Sequence, residues 1–109
     1  MATQLNVFRT VPYDLTTALS TVYTAPTGYA SVVLLAQVSN ISGATITVDA
    51  YHVRSATTTA IIKGASIPTK DALNLLTGRL ILQSGDSIEI SVSANSSGQL
   101  LLSVLETAT

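Results

Sequence analysis

An all-β fold, a sandwich or a barrel, is what this sequence predicts, and three observations predict it. Turn signals recur at short intervals: Pro12, Pro26-Thr27-Gly28, Asn40 to Gly43, Pro68, Gly78, Ser84-Gly85-Asp86 and Asn95-Ser96-Ser97-Gly98. Strand-length segments rich in Thr, Val, Ile and Leu lie between them, at the spacing of about 8–12 residues that marks sandwiches and barrels rather than βαβ units. No segment carries a long helical period. With 109 residues, one domain spanning 1–109 is expected.

The clearest strand runs over 87–94, where Ile88, Ile90 and Val92 alternate with Glu89, Ser91 and Ser93, so one face is dry and the other wet. Residues 44–53 alternate too, setting Ile46, Val48, Ala50 and His52 on the expected core face. Further strands are expected over 4–9, 15–23, 58–67 and 80–83, about eight in all. Asp71 to Leu76 is compatible with a helical turn or with an extended edge.

Two segments do not alternate. Residues 31–38 (SVVLLAQV) and 99–105 (QLLLSVL) are apolar on both sides, so both faces need cover. Loops of the same chain or another subunit can supply it. Only 10% of residues are charged, against about 25% in ordinary soluble domains, so part of the exterior is expected to be covered by other subunits. Val33, Leu35, Leu101 and Leu105 are the candidate contact residues. Burying four such side chains is worth about 6–12 kcal/mol before the cost of association is subtracted.

The same composition excludes several classes of function. A chain without cysteine has no disulfide, no thiolate metal site and no thiol nucleophile. The net charge of −1, with no cluster of Lys or Arg, argues against nucleic acid or anionic lipid as partners. The amino terminus lacks the basic and apolar regions of a secretory signal, and no apolar run approaches the length of a membrane span, so a soluble product made inside the cell is expected.

His52, the single histidine, rules out multi-histidine metal sites and reads as a hydrogen-bonded packing residue. Asp86 sits in a Ser-Gly-Asp turn and reads as a backbone cap rather than half of an acid–base pair with Glu89. No calcium, phosphate or dinucleotide motif is present. The chain is therefore expected to be no enzyme, with no cofactor and no metal. Phe8 and the four tyrosines are scattered without a basic groove, which leaves each as a core residue or an interface anchor. Tyr29 is the attractive anchor because it follows a Pro-Thr-Gly turn. Arg54 and Arg79 are the first candidates for ion pairs across subunits, since a guanidinium can hold a carboxylate with two parallel hydrogen bonds.

The segment 22–40 (VYTAPTGYASVVLLAQVSN), then Ile67-Pro68, 80–88 (LILQSGDSI) and 102–106 (LSVLE), resembles small virion structural proteins of tailed bacteriophages, notably those of cyanophages. The resemblance covers residues 22–106. It implies a jelly-roll-like or immunoglobulin-like sandwich without enzymatic activity, located in the virion and assembled in the host cytoplasm. The role it suggests first is a capsid decoration, or cement, protein, trimeric and bound to the major capsid protein. A tail, baseplate or head–tail connector component is the alternative. A carbohydrate- or receptor-binding module fits less well, because the chain has no tryptophan and few aromatic platforms.

Overall fold

The computed structural model describes residues 6–109. Nine strands follow one another among them: β1 (Asn6–Asp14), β2 (Ser20–Thr24), β3 (Tyr29–Asn40), β4 (Ile46–Arg54), β5 (Thr57–Ile67), β6 (Ala72–Asn74), β7 (Leu80–Leu82), β8 (Ser87–Val92) and β9 (Gly98–Ala108). They form two antiparallel sheets. One has the order β1-β9-β3-β6, with β7 also paired to β3, and the other has the order β2-β8-β4-β5. Because β6 and β7 are short pieces along one edge of β3, the nine strands fill eight positions.

The strand order decides between the two sandwich types expected. In an immunoglobulin sandwich the first two strands share a sheet. Here β1 and β2 lie in different sheets, and β4–β5 is the one pair of consecutive strands joined in a ladder among the described residues. Apart from β6–β7, two pieces of one edge position beside β3, every other connection crosses between the sheets. Two four-strand sheets connected in this way make a jelly roll.

Alternation builds the core. Ile88, Ile90 and Val92 of β8 and Ile46, Val48 and Ala50 of β4 face Leu100, Leu102 and Val104 of β9 and Val33, Ala36 and Val38 of β3, and all are buried. The predicted strands over 87–94, 44–53, 58–67 and 80–83 appear in place, and Asp71 to Leu76 contains the short extended edge β6.

Two local expectations are corrected. Residues 15–19 are not strand: the Leu15 amide bonds the Gly98 carbonyl at 3.0 Å and the Thr17 amide bonds Asn95 Oδ1 at 2.9 Å, so this backbone is satisfied by the β8–β9 turn instead of a ladder. Pro12 does not turn the chain but sits within β1 opposite Leu101. A proline lacks the N–H a central strand needs, and β1 is an edge, where the loss costs nothing. The first two residues of the strand expected over 4–9 lie outside the described residues.

Leu102 is fully buried at the centre of this core. Leu102→Ala is expected to destabilise the fold by about 2–5 kcal/mol, read as a lower urea midpoint with an unchanged slope.

Candidate interaction surface

The outward face of the β1-β9-β3-β7 sheet is apolar where a solvated sheet would be polar. Register aligns Phe8 with Leu105, Leu105 with Val32, and Val32 with Ile81, so four strands contribute to one continuous row. Phe8 is 75% exposed and Ile81 61%, while Leu105 and Val32 between them are half-buried. Pro12 and Leu101 form a second apolar pair nearer the other end of β1.

A β-bulge adds to the patch. On β3, Val33 pairs with Val104 and Leu35 with Ser103, so Leu34 is the extra residue. The bulge lets two successive side chains turn to the same side. Leu34 is 42% exposed and Leu35 half-buried, both outside, while Val33 and Ala36 on either side point into the core.

This geometry relocates some of the candidates and leaves others in reach of a partner. Leu35, Leu101 and Leu105 lie on the outward face. Val33 is withdrawn from the interface, because it is 0% exposed and packed between the sheets. Arg54 is withdrawn as a partner-seeking cation, because its fork is already occupied within the chain by Asp86: Nε donates to Oδ1 at 3.0 Å and Nη2 to Oδ2 at 2.7 Å. Tyr29 is half-buried at the start of β3, opposite Ala108. Arg79 is exposed in the β6–β7 connection. Sequence reasoning left Phe8 undecided and missed Ile81, since nothing in the local pattern shows that register will set them in one row.

Two buried carboxylates brace the scaffold below this face. Asp86, in the turn before β8, accepts the Arg54 fork, the Gln83 amide at 3.0 Å and a contact with His52 Nε2 at 3.1 Å. The turn itself needs Gly85, whose φ of +85° suits glycine. Asp86 is thus the cap expected from sequence and also an ion-pair centre between β4 and β8. The Arg54 hydrogen bonds hold its carboxyl far below the usual carboxylate range, outweighing the opposing effect of burial, with the Gln83 amide and His52 adding to the depression. With its lone pairs committed, Asp86 is a structural anchor rather than a base.

Glu106 of β9 points inward and is buried. Arg9 Nε donates to Oε1 at 2.8 Å and the Tyr23 hydroxyl to Oε2 at 2.5 Å, while Ser31 Oγ lies 2.8 Å from Tyr23 Oη. Burial pushes the Glu106 carboxyl up, but the hydrogen bonds from Tyr23 and Arg9 outweigh it and the net shift is downward. Burial and the bond to Glu106 push the Tyr23 hydroxyl up to about 12. Among the described residues no group of three His, Asp or Glu side chains is placed to hold a metal ion.

No protein-family model matches this chain, and no curated protein matches it in sequence. Solved structures do resemble it in fold. One is a protein of the Bacillus endospore appendages, which form a novel family of disulfide-linked pili; it aligns with a TM-score of 0.55 at 13% identity, over 96% of this chain and 88% of its own. Another belongs to the T13 IBDV viral particle, an icosahedral virus; it aligns with a TM-score of 0.59 at 12% identity, over 96% of this chain and 31% of its own. This chain therefore spans under a third of that viral chain. At such identities the likeness is one of fold.

Both carboxylates are depressed, so between their folded values and the unfolded value near 4 the unfolded chain binds more protons, and stability rises with pH. Urea midpoints are expected to hold level through neutral pH and to fall on acidification below about pH 4. Asp86→Asn should lower the midpoint at neutral pH and flatten that acid limb. Tyr23, shifted upward, should add an alkaline loss that runs from about pH 10 to about 12.

Proposed function

We propose that this chain is a non-enzymatic structural protein of a virion: a capsid decoration protein that stabilises a phage shell through subunit contacts made by the outward face of the β1-β9-β3-β7 sheet. The observation that carries this reading is the apolar row Phe8, Leu105, Val32 and Ile81 on the outward sheet face, exposed at Phe8 and Ile81, in a chain with few charges. A patch of this kind on a small β-protein marks a surface meant for another protein. The fold is also at home in such settings, since the two similar structures are part of a pilus and of a viral particle. The pili are disulfide-linked, whereas this sequence contains no cysteine, so its contacts do not use disulfides.

In this role three copies meet at a junction of the shell, and each lies against the major capsid protein. Added buried area across the junction resists expansion or rupture, with no chemical step required. Leu35, Leu101 and Leu105 extend the contact from the central row, and Arg79 and Tyr29 stand at its periphery as polar contacts. Assembly takes place in the host cytoplasm and the mature location is the particle.

Size-exclusion chromatography with light scattering at micromolar concentration tests this reading. A mass of three chains is expected, and Phe8→Glu combined with Ile81→Glu should abolish the trimer while leaving the circular dichroism spectrum of a folded β-protein. A closed ring of six or twelve chains that survives dilution would instead assign the chain to a tail or head–tail connector. A wild-type monomer at every concentration would overturn the reading.

A further inference from the structure

The apolar row of the outward face continues around the edge of its sheet. Ile81 points outward, and Leu80 before it points to the other side of β7, where it lines a cleft between the edges of the two sheets. Ile61 and Ile62 of β5 form one wall of this cleft of about 450 Å³, and Leu73, Leu76 and Leu80 form the other. All five pack against the core and yet remain only half-buried, so the fold leaves each of them short of a neighbour.

The chain also carries a knob of matching chemistry. Phe8 is the most exposed large apolar side chain among the described residues, and it stands on β1, at the opposite edge of the first sheet. Two strands, β9 and β3, separate β1 from β6 and β7, a distance of about 14 Å, so knob and cleft of one chain do not meet. The knob of one copy and the cleft of another can.

Arg79, at the rim of the cleft, supplies a second observation. Among the described residues Arg9 and Arg54 are held by carboxylates, Lys63 by Tyr51 and Lys70 by the Ile41 carbonyl, which leaves Arg79 as the one basic side chain with no partner. β1 is an edge strand, and the carbonyls on its free side are the acceptors a guanidinium meets beside an inserted Phe8. Arg9 does not oppose this, because its charge is engaged by Glu106 on the other side of β1.

We infer that Phe8 of one copy seats in the cleft of the next, between Ile61 and Ile62 on one wall and Leu73, Leu76 and Leu80 on the other, with Arg79 donating to the free edge of β1. The inference rests on the self-association in the decoration reading and names the surface that receives the apolar row. The contact joins two different patches and is heterologous, so it ends in a ring only if each step turns the chain. Here the knob projects from a sheet face while the cleft opens at a sheet edge. Successive copies are therefore turned by roughly a right angle, and the chain of contacts meets itself within a few copies. A face-to-face contact would instead join like patches, leave both clefts empty and stop at two.

Cross-linking with a short bismaleimide tests the pairing, since the sequence has no cysteine of its own. Thr10 lies on the Phe8 face and Thr77 lines the cleft, both exposed. A chain with both Thr10→Cys and Thr77→Cys should give covalent species of two and three chains, and neither single variant should. Gly78 also lines the cleft, and a side chain built there meets nothing within 4 Å. Gly78→Trp should fill the mouth of the cleft and raise the concentration needed for assembly about tenfold or more, while Gly78→Ala leaves it unchanged. A Thr10→Cys chain that cross-links to itself, a trimer that gives no product from the double variant, or a trimer indifferent to Gly78→Trp overturns the inference and leaves the decoration reading standing. A wild-type chain that is monomeric at every concentration overturns both.

Discussion

The rest of the molecule depends on the two-sided pairing of β9. This strand is hydrogen-bonded to β1 along one side and β3 along the other, over nearly its whole length. A period of two then splits its residues between two tasks. Leu100, Leu102 and Val104 close the core, and Leu101 and Leu105 face away from it. A slip of one residue would exchange the two sets, exposing the core leucines and burying the surface ones. The register is held against such a slip by Glu106, which can be buried only where Tyr23 and Arg9 reach it.

Glu106 and Asp86 sit in matching positions in the logic of the fold. Each is an acid pointing inward near the end or start of a strand, and each is met by an arginine that keeps its guanidinium partly in water. Such an arrangement lowers the cost of burying a carboxylate, because the cation stays largely hydrated while its donors reach inward. The pairs also join parts of the chain distant in sequence, β1 to β9 and β4 to the turn before β8. They act as tests of correct assembly: a misregistered sheet would leave a charge buried without a partner.

Much of this was legible in the residues. Strands with clean alternation, β4 and β8, could be placed together with the face they bury, because period-two hydrophobicity is a local property. The doubly apolar segments 31–38 and 99–105 pointed correctly to strands with a second, non-core face. What could not be read was register and irregularity. Simple alternation fails at the bulge, and with it the placement of Val33 beside Leu35. Pro12 reads as a turn unless the strand is known to be an edge. Arg54 looks free until the β4–β8 pairing brings Asp86 to it from 32 residues away. The row from Phe8 to Ile81 spans nearly the entire chain, and no short window of sequence contains it.

Pro12 has a consequence beyond local geometry. Unlimited growth of β-structure needs two receptive sides on every unit, one to accept and one to offer. Here β1 carries proline and charges, β6 and β7 are fragments, β2 is short and kinked, and β5 is broken by register shifts at Ile61 and at Lys63–Gly64, so every edge bears a feature that discourages addition. A sequence poor in charge and rich in Thr, Val and Ile would otherwise be prone to fibre formation, and blunted edges let it keep that sticky composition without endless growth.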